Sequence, residues 1–263
     1  MLPKERFAKL LKEQENRPKD KANFLIQSRV GAGKSFTLKT CPTPILIHSF
    51  DPGGTLVLRD EIEKGTVIAD TSFEAEDAMK PTAFRRWETE VDDMFRTKFF
   101  DHLGTYVIDS STTWIQAAFN EVQAKPKKGT SHAGQPPELQ DHNYVQTYIQ
   151  NRLQQLCSIP CCFILTAHLD IFTDAVDQKV HTSIFASGKL KVKIPMLFDE
   201  VYILQVEKKG PSEIERYFIT GMDGRHEART RIGAGKFPLR MEPNIAKILA
   251  MANITRVPKP MEE

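Results

Sequence analysis

Cysteine is scarce: four in 263 residues, three of them crowded at Cys157, Cys161 and Cys162. A chain this long does not need a disulfide framework. Without paired Cys-x-x-Cys units, or a histidine at ligand spacing, the cluster does not read as zinc; buried thiols in a strand are expected instead. Long apolar runs are missing too. The stretch from Cys161 to Ala167 falls far short of the ~20 residues a membrane span needs. An excess of one charge is also absent: 36 Lys and Arg against 34 Asp and Glu leave +2. That excludes a histone-like polycation and confines any nucleic-acid contact to a local patch. The opening MLPKERFAKLLKEQ has charges throughout and no apolar core, so no secretory leader is expected, and the reading is a soluble cytoplasmic chain. There are two tryptophans, and Trp87 and Trp114 fall at helical apolar positions that suit a core.

What is present is an uneven distribution of charge. Residues 1–21 carry seven bases and four acids, residues 51–101 thirteen acids and seven bases, and residues 180–263 fourteen bases and ten acids. A basic helical arm (1–21) is expected, its Phe7, Leu10 and Leu11 forming a stripe that docks on a neighbour or on its own core. A main domain (22–250) and a disordered tail (251–263) follow. Short apolar runs at 24–27, 44–48, 66–69, 106–108 and 161–166 alternate with helical patterns at 33–39, 81–100, 112–124 and 139–157. A strand pair at 201–206 and 215–220 and a helix at 244–251 complete the pattern. Such alternation predicts an α/β fold with a mainly parallel sheet flanked by helices.

One motif carries chemistry by itself. Ser28-Arg-Val-Gly31-Ala32-Gly33-Lys34-Ser35 follows a strand and runs into a helix that begins near Phe36. Glycines let successive backbone N–H groups turn inward around phosphate oxygens, and the helix N-terminus adds partial positive charge. Lys34 is placed for the outer phosphates and Ser35 for Mg2+, so Gly31 through Phe36 form the expected ATP site. The pattern expects glycine at position 28 and finds serine, at the opening of the loop. A metal-holding acid is needed on a nearby strand, and Asp109 ends the apolar run YVID.

These pieces, with IPCCFILTAH ending in His168, the stretch GKLKVKIPMLFDEVYIL and a late RTR, resemble the RecA-like P-loop ATPases. The resemblance is strongest to the phage-encoded Sak group of single-strand annealing proteins, and it spans about 24–248. It implies a RecA-like core, Mg-dependent ATP hydrolysis, a ring or filament of identical subunits, and action on single-stranded DNA in recombination, with a single-strand-binding protein as a further partner. It implies that Asp51 activates the attacking water, with Asp70 as a competitor, and that His168 senses the terminal phosphate. It also places DNA-contacting loops at 125–138 and 169–188. The bases there and just beyond are Lys125, Lys127 and Lys128, then Lys179, Lys189, Lys191 and Lys193. A basic residue acting across a subunit boundary is expected among Lys189, Lys191, Lys193, Arg229 and Arg231. Two other readings stay open: another P-loop motor such as a helicase or packaging ATPase, or a nucleotide-gated binding module with little hydrolysis.

Overall fold

The computed structural model describes residues 3–15, 21–126, 128–173, 180–210, 213–233 and 235–260. Among these residues ten strands form one sheet: β1 (Phe24–Ser28), β2 (Ile45–Ser49), β3 (Val67–Asp70), β4 (Thr105–Asp109), β5 (Cys162–Thr173), β6 (Val180–Ile184), β7 (Glu200–Lys208), β8 (Ile214–Ile219), β9 (Arg229–Thr230) and β10 (Arg240–Met241). The order along the sheet is β10-β8-β7-β1-β5-β4-β2-β3, with β6 paired to β5 and β9 to β7. The middle, from β7 to β3, is parallel throughout, and the pairings of β6, β8, β9 and β10 are antiparallel.

The strands read as nearly unbroken apolar runs because both faces are covered, as parallel sheets require. Side-chain alternation splits the core into two layers. Leu25, Tyr106, Ile108, Phe163 and Leu165 face one layer, filled by helices α4 (Ala83–Thr97), α5 (Ser111–Ala124), α6 (Leu139–Leu156) and α7 (Leu190–Leu197). Trp87 and Trp114 meet in that layer at a ring-centre distance of 5.0 Å. Phe24, Ile26, Ile47, Val107 and Ile164 face the other, closed by α8 (Ile245–Met251) and by Leu38, which follows the short α2 (Lys34–Thr37). Cys161 and Cys162, being adjacent, divide between the layers. Burial pushes the Cys161 thiol up to about 12, so it stays protonated and inert.

The fold class is the expected one: an α/β core with a mainly parallel sheet flanked by helices. The P-loop strand β1 is separated from the Asp109 strand β4 by one strand, β5. Register aligns the functional ends, setting Ser28 opposite His168 and Ser49 opposite Asp109.

Two local expectations change. Segment 169–188 is not simply a loop: β5 runs on to Thr173 and pairs with β6, so much of it is strand. The tail expected from 251 is ordered in its described part. Arg256 bonds the carbonyls of Asp101 and Leu103 at 2.8 and 3.2 Å, and the Lys259 N–H reaches the Asp101 carbonyl at 3.0 Å. The arm forms the expected helix, α1 (Pro3–Glu15), where Phe7, Leu10 and Leu11 are all exposed. The remaining helix, α3 (Arg59–Glu63), leads into β3. Among the described residues, no helix is long and apolar enough to cross a membrane.

Candidate functional site

At the C-terminal end of β1 the chain turns back on itself, with Ala32 N–H donating to Arg29 O at 3.3 Å. Gly31 and Gly33 sit at φ +77° and +103°, where a side chain would be strained. Gly33 precedes α2, and Thr37 returns both its N–H and its hydroxyl to the Gly33 carbonyl at 3.1 Å, fixing the entry into the helix. The loop therefore ends on Lys34 and Ser35 at the mouth of a cleft of about 540 Å3, whose walls include Gly31, Gly33, Phe36, Asp51, Asp109 and His168.

Two polar chains cross the cleft floor. In one, the Ser35 hydroxyl donates to Asp109 Oδ2 at 2.7 Å, while Thr166 Oγ1 donates to Asp109 Oδ1. Burial raises the Asp109 pKa, against the pull of those two hydroxyls. In the other, the Lys34 ammonium lies 3.4 Å from His168 Nδ1, and His168 Nε2 lies 3.5 Å from Asp51 Oδ2. An ammonium can only donate, so His168 Nδ1 accepts and the ring proton sits on Nε2, facing Asp51. Asp51 Oδ1 also accepts from Ser110 Oγ at 3.0 Å and Thr113 Oγ1 at 2.5 Å. Burial opposes ionisation of Asp51, but the His168, Thr113 and Ser110 donors outweigh it and hold the carboxyl below its usual range. Lys34 is pulled down by burial, against the attraction of Asp109 and Asp51.

The structure thus brings Gly31, Gly33, Lys34, Ser35, Phe36, Asp51, Asp109 and His168 to one cleft. Ala32 is different: its methyl is buried outside the cleft, and its carbonyl accepts from Arg216 Nε at 3.1 Å. Asp70 is not at this site. It lies beside His48 and Glu90, the one cluster of potential metal ligands among the described residues. There Trp87 Nε1 donates to Tyr106 Oη at 2.9 Å, which turns the Tyr106 hydroxyl proton toward His48 Nδ1 at 2.9 Å and leaves His48 Nε2–H pointing at Glu90.

Those of the expected DNA-contacting lysines that are described lie outside the cleft. Lys125 pairs with Glu121 one turn back at 2.7 Å. Lys128 and Lys189 are exposed, Lys191 pairs with Asp170 at 2.6 Å, and Lys193 donates to Gln150 at 2.7 Å. Lys127 and Lys179 are outside the described residues. Arg229 and Arg231 are engaged within the chain, Arg229 on the Phe198 carbonyl at 2.9 Å and Arg231 on the Met196 carbonyl at 3.1 Å.

Several contributors escape a reading of the sequence. Thr166 has a signal, since it stands two residues before His168 and so shares its face of β5. Ser110 and Thr113 follow Asp109 by one and four residues. Glu74 has none: it bonds Ser49 Oγ at 2.7 Å and Gly53 N–H at 3.0 Å, bracing the turn after Asp51 from a distant loop.

Known structures resemble this chain distantly. A KaiC-like protein from Pyrococcus horikoshii OT3 shares 14% identity at a TM-score of 0.40, over 75% of this chain and 78% of its own. The flagellar accessory protein FlaH of Methanocaldococcus jannaschii shares 9% at 0.37, over 83% of each. The type III secretion ATPase EscN of enteropathogenic E. coli shares 13% at 0.48, over 92% of this chain and 63% of its own. Among curated proteins no sequence matches at a significant level. The model of the AAA domain family matches residues 20–232, which contain the phosphate loop and every acid of the cleft; the chain belongs to this family of P-loop ATPases.

Proposed function

We propose that the protein binds ATP with Mg2+ and hydrolyses it, and that it works as a homo-oligomer on single-stranded DNA in recombination. The observation that carries the catalytic part is the pair of polar chains on the cleft floor, Ser35–Asp109 and Lys34–His168–Asp51. A hydroxyl and a carboxylate are hard oxygen donors, and the ammonium beside them matches the charge of a triphosphate, so this donor set fits magnesium and ATP. Ser35 and Asp109 would hold the metal, which when bound spreads the charge of the outer phosphates. The glycine loop and Lys34 bind and orient those phosphates. Asp51, kept ionised by its donors, is the base that orients a water, and His168 links it to the Lys34 ammonium at the phosphate end.

The DNA part is supported by the family resemblance and by the basic residues after β5 and α5. The test is the ATPase rate with no DNA, with single-stranded DNA and with duplex DNA. Stimulation by single strands is expected. Unchanged turnover makes the protein a DNA-independent ATPase, and duplex unwinding would make it a helicase.

A further inference from the structure

We infer that Arg216 is a positioning residue for the phosphate loop: from the far side of the loop it holds the Ala32 carbonyl outward and so aims the Gly33 N–H into the cleft. The inference rests on the nucleotide reading above and names a part of that site which lies 184 positions away in sequence from the residue it serves.

Arg216 stands on β8, opposite Val206 of β7. Its Nε–H donates to Ala32 O at 3.1 Å. Its side chain also covers the α-carbon of Gly33: a Cβ built there would lie 3.2 Å from Arg216 Nε and 3.5 Å from Cδ. Arginine and loop therefore touch at two successive residues, on the peptide that joins them.

The consequence follows from peptide geometry. A trans peptide is planar, and its C=O and N–H point in opposite directions. With the Ala32 carbonyl drawn to Arg216, the Gly33 N–H must point the other way, toward the cleft that Gly31, Gly33, Lys34 and Ser35 line. A loop that cradles an anion works only if its N–H groups converge. Little else fixes this peptide. It lies between two glycines at positive φ, the most permissive backbone there is, and the helix that follows has four residues. Arg216 restrains the loop before phosphate arrives, and restraint of that kind strengthens binding by lowering the ordering cost. Arginine suits the task because its charge is permanent and its Nε–H is fixed in a planar fork.

Because the Gly33 N–H would hold phosphate before and during reaction alike, losing its orientation should raise KM more than it lowers kcat. The experiment measures ATP affinity by calorimetry and KM and kcat by phosphate release, for Arg216→Ala, Arg216→Gln, Arg216→Lys and Lys34→Ala. Arg216→Ala is expected to weaken ATP binding and raise KM about 10-fold, the loss of one hydrogen bond from the Gly33 N–H to a charged acceptor, with kcat within about 3-fold of the parent. Arg216→Gln, which keeps an N–H donor without the charge, should recover part of the loss, and the nucleotide-free melting temperature should stay within ~3 °C for all three. Full recovery by lysine with none by glutamine would show that the charge alone is used, and would overturn the positioning role. Parental KM in Arg216→Ala, while Lys34→Ala loses ATP binding, would refute the inference and leave the site intact. Parental ATP binding in Lys34→Ala would instead refute the nucleotide reading itself.

Discussion

Asparagine at position 51 tests the catalytic floor because the site accepts its shape while losing its charge. Asp51 receives hydroxyls from Ser110 and Thr113 on one oxygen and faces His168 Nε2 with the other. An amide turned so that its oxygen faces His168 keeps that contact, and its NH2 then meets the two hydroxyls. Thr113 has a second acceptor in reach, the Ser110 carbonyl at 3.2 Å, so its proton can be redirected, and only the Ser110 hydroxyl proton gives up its acceptor. What changes is that charge-assisted bonds become neutral ones, a difference of about 1 kcal/mol, or a melting shift of roughly 2–4 °C. The sign of the pH dependence follows from the lowered pKa. The stabilisation from ionised Asp51 is present above the unfolded value near ~4 and disappears as pH falls through the folded value. Asp51→Asn should therefore approach the parent in stability on acidification. Hydrolysis should respond far more strongly. Removing a positioned general base lowers kcat by about 100- to 10,000-fold, with KM almost unchanged because Lys34 and the loop still hold the phosphates. Steady-state phosphate release and equilibrium ATP binding measure the two effects separately. Parental kcat in this variant would refute the assignment of the base to Asp51 and turn attention to Glu74 at the rim, not to Asp70, which lies beside His48.

Burial raises the Asp109 pKa, so its ionised form destabilises the nucleotide-free fold. The penalty is absent below the unfolded pKa and complete once pH has risen through the folded one. Asp109→Asn should thus melt at or above the parental temperature near about pH 8, with the gap closing on acidification, while Mg-dependent turnover falls; a lower melting temperature at every pH contradicts this. Tyr106→Phe removes the hydroxyl between Trp87 and His48 and leaves two buried polar atoms unpaired, an expected loss of ~2–4 kcal/mol seen as a melting drop of roughly 5–15 °C. Replacing Lys125, Lys127 and Lys128 together by Ala should weaken single-stranded DNA binding for all sequences and flatten its salt dependence, with basal ATPase retained. Identical binding isotherms would remove that segment from the DNA surface.

The sequence shows its chemistry where residues that work together are neighbours in the chain. Lys34 and Ser35 follow two glycines after an apolar run, and Asp109 and His168 each end one, so a strand-by-strand reading sets them at one sheet edge. Partners supplied by tertiary packing leave no such trace. Arg216 reaches Ala32 because β8 pairs with β7, and Glu74 reaches Gly53 because the loop after β3 folds back. The missed elements have local causes. Helix α7 holds Pro195 in its last turn and begins just after Gly188, a composition that reads as loop. Residues 169–173 mix apolar and polar side chains because beyond His168 the strand leaves the buried layers and is partly exposed.

That departure of β5 has a mechanical meaning. At Ile164 and Leu165 the strand is clamped by β1 and β4 on its two sides; from Thr166 to His168 it is held by β1 alone; from Leu169 to Thr173 only β6 accompanies it. Thr166 grips Asp109 and His168 meets Lys34 at the fulcrum of this rod. The five residues beyond extend roughly 17 Å at the usual strand rise. A small tilt at the cleft end would be multiplied at the outer end, and since a paired ribbon resists bending better than a single chain, β6 would splint the extension.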